Sequence, residues 1–318
     1  MLVVTSSYRE TSNTNILLPN FFLLGAAKAG TTSLHAYLEQ NPQIFLTKLK
    51  EPHFFDTDDI YANGLAWYSH EHLAGSEAYP ARGEATPILH LPHIVIPRLL
   101  ETYGEKKGQL RFIVVLRDPV ERAWSHYLHR CRSMEETKPF ATALALEQKR
   151  LAHDSHDWAG YFRDGLYAEQ LTCWYQSFGA DQFLILLSED LKHHPQKTVD
   201  IVCDFLEVGR SQVADLTHTN VASQPRSRFL LRLVAKPPRF ITFFTQLLVS
   251  KTNRQKARIA LRSILSKPYE GRPELDTELA DSLYQQYYPH IQQLEALIGR
   301  DLPQWQRAHN NRSPRQLN

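Results

Sequence analysis

The segment FFLLGAAKAGTTSL, Phe21 to Leu34, leaves few architectures open to this chain. An apolar run, Phe21 to Leu24, is followed by a glycine-bounded loop and then by Leu34, Tyr37 and Leu38 at helical spacing. The helical stripe stops at Asn41-Pro42, because proline disfavours helical geometry in the residue before it. The order is strand, loop, helix. Between strand and helix stand Gly25, Ala26, Ala27, Lys28, Ala29, Gly30, Thr31 and Thr32. Glycines let a backbone wrap closely round phosphate oxygens, a helix start offers unpaired N–H groups, and the lysine and two hydroxyls add donors. A tight turn alone needs the glycines but not the lysine and both threonines, so the segment reads as an anion site. The nucleotide triphosphatase loop G-x-x-x-x-G-K-[ST] carries its lysine after the second glycine. Here Lys28 precedes Gly30, which makes a P-loop kinase acting on a small hydroxyl compound the second reading.

A second strand-to-helix unit begins with the apolar run Leu110 to Leu116. It ends in Arg117-Asp118-Pro119-Val120-Glu121, which reads as a capping box: Asp118 as N-cap, proline at the first helical position, glutamate reaching back. Arg117 then sits at the C-terminal edge of a buried strand, where ligands of α/β sheets bind, and Ser125 follows on the second turn of the helix. A guanidinium fork and a hydroxyl suit one phosphate; a structural ion pair and a solvated serine are the alternative. A third apolar run covers Phe183 to Leu187, and Tyr167, Leu171, Trp174, Tyr175 and Phe178 form a helical core stripe ending at Gly179, a residue suited to a left-handed cap. Continuous apolar strands alternating with helices predict a three-layer α/β, P-loop-like domain with a central parallel sheet flanked by helices. Residues 19–305 form that domain, with tails at 1–18 and 306–318.

With 318 residues, 42% of them hydrophobic, and a formal charge of +2, the chain has material for a substantial core and no excess charge that calls for nucleic acid. Cys131, Cys173 and Cys203 lack metal spacing and lie in helix-like stretches, as expected of reduced core thiols. His126 with His129, or His90 with His93, would need a third ligand that the sequence does not offer, so no metal is expected. No stretch reaches the ~20 apolar residues of a membrane span, and no secretory leader is evident, which predicts a cytoplasmic protein. The stretch Arg226 to Lys267 carries eleven lysines and arginines, several phenylalanines and no acid. It reads either as helices with a solvated basic face or as a peripheral contact with anionic membranes or acceptors.

Together these segments resemble the sulfotransferases that use 3′-phosphoadenosine 5′-phosphosulfate (PAPS), especially the branch containing heparan sulfate sulfotransferases and their bacterial relatives. GAAKAGTTSL resembles that family's 5′-phosphosulfate loop, and RFIVVLRDPVERAWSHY, Arg111 to Tyr127, its 3′-phosphate segment. KEPHFFD, Lys50 to Asp56, is similar to the stretch carrying the catalytic glutamate, and YAEQLTCWYQSFG and YYPHIQQLEALIGRDLPQW resemble later helices. The resemblance implies Lys28 at the bridging oxygen and leaving phosphate, Gly30, Thr31 and Thr32 at the 5′-phosphate, and Arg117 with Ser125 at the 3′-phosphate. It implies Glu51 as the base, with His53 as the other candidate or as an acceptor contact. The family's Lys-Gly-Arg-like loop is matched only by Glu270-Gly271-Arg272, without the lysine, so Gly271 and Arg272 are the expected nucleotide contacts there. Glu84-Ala85-Thr86-Pro87 resembles an acceptor-side segment in which the heparan enzymes carry a lysine at the position of Ala85. Glu84 and Thr86 are thus expected to face the acceptor, and loss of the lysine argues against a heavily anionic one. The implied activity moves a sulfuryl group from PAPS to a hydroxyl or amine, with a carbohydrate or glycolipid as acceptor and adenosine 3′,5′-bisphosphate (PAP) as product. A non-catalytic module that binds anionic polymers or membranes is the third reading.

Overall fold

The computed structural model describes residues 16–153, 160–216, 223–225, 266–268 and 273–306. Its centre is a sheet of β1 (Phe21–Gly25), β2 (Ile44–Leu46), β3 (Ala81–Glu84), β4 (Arg111–Leu116) and β5 (Phe183–Leu187), in the order β2-β3-β1-β4-β5. Every pairing is parallel, with Phe21 opposite both Gly83 and Arg111, and Phe112 opposite Phe183. The helices are α1 (Thr31–Leu38), α2 (Asp58–Tyr61), α3 (Gly64–Tyr68), α4 (Pro92–Tyr103), α5 (Pro119–Arg132), α6 (Phe140–Ala145), α7 (Glu147–His153), α8 (Tyr167–Phe178), α9 (Ser188–His193), α10 (Pro195–Phe205) and α11 (Thr277–Ile298). They flank the sheet as expected of a P-loop-like α/β domain: α8 packs on α4 and α11, α11 on α5, and α1 on α10.

The apolar runs fold as the sequence implies. All five residues of β1 and the last five of β4 are buried, because helices cover both faces of the central strands. The stripe Tyr167, Leu171, Trp174 and Phe178 is the buried face of α8, with the Trp174 indole donating to the Leu89 carbonyl at 3.0 Å. Tyr175 lies at the margin, half-buried. Gly179 has positive φ but extended ψ (91°, 144°), so it ends the helix without a left-handed cap. β2, Ile-Phe-Leu, is an apolar run of only three residues, too short to mark a strand by pattern, and β3 carries no apolar run. β3 reads Ala-Arg-Gly-Glu, and Gly83 is required because the Phe21 ring lies within 2.1 Å of where a Cβ would stand.

Only Cys203 is the core thiol expected; Cys131 is half-buried and Cys173 is exposed on the outer side of α8. Leu17 and Leu18 pack against the core, and Trp305 is buried with its indole donating to Glu189 Oε1 at 3.0 Å. Of the basic stretch 226–267, residues 226–265 lie outside the described residues, as do Gly271 and Arg272. Ser223–Pro225 and Ser266–Pro268 pair as a short antiparallel ribbon beside α5. No described helix is long and apolar enough to cross a membrane.

Candidate active site

The β1-to-α1 loop has a shape only certain residues tolerate. Gly25 has φ 139°, Lys28 φ 71° and Gly30 φ 107°, so the backbone turns through the left-handed region before α1 begins at Thr31. No side chain caps this helix, and the N–H groups of Gly30, Thr31 and Thr32 donate to no backbone carbonyl among the described residues. These are the orphan donors of a helix start, aimed where an anion would lie.

Arg117 joins this loop to the second motif. Its Nη1 donates to the Lys28 carbonyl at 3.1 Å, its Nη2 donates to Glu121 Oε2 at 3.3 Å, and its own carbonyl accepts from Tyr167 OH at 2.9 Å. The ion-pair reading of Arg117 is therefore also realised. Asp118 caps α5 through Oδ1, which accepts from the N–H groups of Val120 and Glu121 at 2.9 and 3.1 Å. Its Oδ2 accepts from Tyr284 OH at 2.7 Å, so both oxygens are engaged in holding α5 and its contact with α11. Ser125 is half-buried on α5, and Arg132 follows it by two helical turns on the same face.

Cations converge on Lys28. Its pKa is lowered to about 8, first by desolvation in the half-buried loop and then by Arg132, Arg117 and Lys50, with Glu51 opposing. Burial, Lys28, Arg132 and Arg130 likewise lower His129 to about 4. A lysine held in this surplus of positive charge gains from any bound anion. Orphan N–H groups and surplus cations fit the phosphates and sulfonate of PAPS.

The KEPHFFD loop lies against this cluster. Glu51 and His53 both take left-handed backbone angles, φ 59° and 54°, unusual for residues with side chains. The Glu51 carboxylate pairs with the neighbouring Lys50, so that bland contact exists alongside its reach towards Lys28. His53 Nδ1 is 2.8 Å from Asp56 Oδ2. Burial alone lowers the His53 pKa, but the Asp56 hydrogen bond and the charges of Asp56, Glu51 and Glu84 outweigh it, and the net shift is upward.

Glu84 and Thr86 do not present themselves to an acceptor. They are only 1% and 2% exposed, and Thr86 Oγ1 donates to Glu84 Oε1 at 2.8 Å while Tyr68 OH donates to Glu84 Oε2. Desolvation raises Glu84 to about 7 despite these two hydrogen bonds. Ala85 is buried as well. The structure adds Asp56, Arg132 and Tyr68 to the residues the sequence points to. Asp56 stands three residues after His53 and Arg132 seven after Ser125, both spacings visible in the sequence; Tyr68 has no such signal. Among the described residues no group of three histidines, cysteines or acids could hold a metal ion.

Comparison with known proteins bears on the family and the fold. The sequence model of the sulfotransferase domain matches residues 18–233. The membrane-associated sulfotransferase kil1 of Dictyostelium discoideum is 35% identical over 144 residues, 45% of this chain and 29% of that protein. Heparan sulfate glucosamine 3-O-sulfotransferase 3B1 of Mus musculus is 30% identical over 195 residues, 61% of this chain and 47% of that protein. The chain thus spans less than half the length of these relatives. A sulfotransferase crystal structure from Alicyclobacillus acidocaldarius superposes with a TM-score of 0.65 at 26% identity, covering 91% of this chain and 99% of that one. The cytoplasmic location expected from composition does not stand: a relative is membrane-associated by name, and lack of a spanning helix does not assign a compartment. With a matched domain over 18–233, two phosphate-type motifs joined through Arg117 and the parallel sheet that carries them, the chain belongs to the sulfotransferase domain family.

Proposed function

We propose that this protein transfers a sulfuryl group from PAPS to a hydroxyl, or an amine, of a carbohydrate or glycolipid. The observation that carries the reading is the hydrogen bond from Arg117 to the Lys28 carbonyl, which unites the two anion motifs in one cationic cleft. PAPS supplies the sulfuryl group and, as leaving group, its nucleotide phosphate. Gly30, Thr31 and Thr32 hold the 5′-phosphate with N–H and hydroxyl donors, and Arg117 and Ser125 hold the 3′-phosphate, with Arg132 adding charge. Gly271 and Arg272 complete the nucleotide set on sequence grounds. Lys28 places its ammonium where the departing oxygen becomes anionic, a preorganised electrostatic contribution. Glu51 takes the acceptor proton as the acceptor oxygen bonds to sulfur and the sulfur–oxygen bond to phosphate breaks. His53, paired with Asp56, shapes the acceptor side.

The carbohydrate acceptor is supported by relatives whose names carry it, among them carbohydrate sulfotransferase 15 of Homo sapiens, 27% identical over 247 residues. The test is single-turnover transfer from labelled PAPS. Glu51→Gln is expected to slow it by ~10²–10⁴, the usual worth of a general base, with nucleotide affinity nearly intact. His53→Ala is expected to retain more of the chemical step. Wild-type turnover in Glu51→Gln with loss in His53→Ala would make histidine the base.

A further inference from the structure

The proposed base stands on a loop whose shape is not its own preference. Left-handed angles at both Glu51 and His53 are unfavourable for side-chain-bearing residues, so the loop keeps them only where its surroundings impose them. The next two residues show what imposes them. Phe54 and Phe55 are wholly buried, and both meet the ring of Tyr68: Phe54 stacks on it at 4.3 Å, and Phe55 meets it edge-on at 5.7 Å. Tyr68, itself wholly buried, ends α3 and donates its hydroxyl to Glu84. Glu84 closes β3 and is held from its other side by Thr86; its register partner, Phe22, lies on β1, the strand that leads into the phosphate loop. A rigid path thus runs from the sheet that carries Lys28, through Glu84 and Tyr68, to the loop that carries Glu51.

We propose that Glu84 and Tyr68 are positioning residues: the carboxyl clamps the Tyr68 hydroxyl, the ring fixes Phe54 and Phe55, and the loop is thereby held with Glu51 set against Lys28. The inference rests on the sulfuryl-transfer reading and on Glu51 as base. Packing alone does not need this acid, since no lysine or arginine pairs with Glu84 among the described residues and a buried unpaired carboxyl is a cost to the fold. Its two accepted hydrogen bonds instead orient a hydroxyl at a defined point on the sheet edge.

The experiment compares wild type with Tyr68→Phe, Glu84→Gln, Glu51→Gln and the Tyr68→Phe/Glu51→Gln double variant. Tyr68→Phe keeps the ring and its stacking and removes the hydroxyl that Glu84 accepts from, and thermal melts of every variant are recorded beside the kinetics so that a loss of folded protein is told apart from a loss of kcat. Release of PAP from labelled PAPS is followed with a heparan sulfate oligosaccharide, with octyl glucoside and with water alone, and PAP affinity is measured by calorimetry. Tyr68→Phe should lower kcat by roughly 10- to 100-fold, the scale of a small misplacement of a reacting group, while PAP affinity changes less than about twofold. Glu84→Gln, whose amide oxygen still accepts from Tyr68, should keep most of the activity. The double variant should be little slower than Glu51→Gln, because a positioning residue acts through the group it positions. Wild-type kcat in Tyr68→Phe, or losses that simply multiply in the double variant, would overturn the inference while leaving sulfuryl transfer intact. A wild type that binds PAP but releases none from PAPS under all three conditions would overturn the transfer reading and this inference together.

Discussion

Lys28 is a cation in a place that disfavours cations, and both of its consequences are measurable. Its folded pKa of about 8 lies below the ordinary 10.5, so between these values the unfolded chain holds a proton that the folded protein has released. Stability of the free protein therefore rises with pH across that window and gains nothing from this group below it. Anion binding has the opposite sign: with Lys28 at the leaving phosphate as proposed, PAP affinity should fall as pH rises through about 8. Calorimetry at pH 7 and 9 should show this in wild type, and Lys28→Ala should bind weakly at both values without that step. Glu84 offers the acidic counterpart. Its carboxyl is raised from 4.5 to about 7 by burial, so the folded state keeps a proton that the unfolded state loses. Stability should decline from pH 4.5 to 7, by on the order of 3 kcal/mol if the whole shift is expressed, and level off above. Urea midpoints for Glu84→Gln should be flat over that range. Lys28 and Arg117 were legible in the sequence because glycines, threonines and a strand end frame them locally. The burial of Glu84 was not, since its partner Tyr68 stands sixteen residues away on a different element.

The element on which the nucleotide reading most depends is α5, whose start follows directly from Asp118-Pro119. The Asp118 carboxylate holds two N–H groups of the first turn and the Tyr284 hydroxyl of α11. Asp118→Ala should cost about 1–2 kcal/mol for the lost cap, and more for the orphaned tyrosine hydroxyl. Denaturant midpoints measure the loss, and weaker PAP binding should accompany it because Arg117 and Ser125 flank the cap. The strands divide by the same local logic. β1 and β4 announce themselves as apolar runs because their two faces are covered, and β5 does so at the sheet edge, where Leu184 and Ile185 stay half-buried. β2 and β3 are short, and Ala-Arg-Gly-Glu has neither a run nor an alternation to read. Its Gly83 owes its identity to the Phe21 ring, a contact that no pattern within β3 reveals.

At the scale of the molecule, the parallel order β2-β3-β1-β4-β5 brings the C-terminal ends of β1 and β4 side by side, so that Lys28 and Arg117, 89 residues apart in sequence, meet. The family rests on the matched domain over residues 18–233, whereas compartment and acceptor depend on surfaces that composition does not encode. The basic stretch 226–267, eleven cations without an acid, reads either as a solvated basic helix face or as a contact for an anionic bilayer, and the two differ in membrane binding. Sedimentation at low salt should show more protein on vesicles containing phosphatidylserine than on neutral ones; equal binding would remove the membrane role. If the two anion motifs together bind PAPS, nucleotide-dependent stabilisation of wild type and Arg117→Ala reveals it. At about a hundredfold excess over its Kd, PAP should add ~2.7 kcal/mol to wild-type unfolding free energy. Arg117→Ala should weaken PAP far more than adenosine 5′-phosphate, which has no 3′-phosphate to lose. Equal losses for the two nucleotides, or stabilisation by magnesium ATP in place of PAP, would rule out a 3′-phosphate site at Arg117.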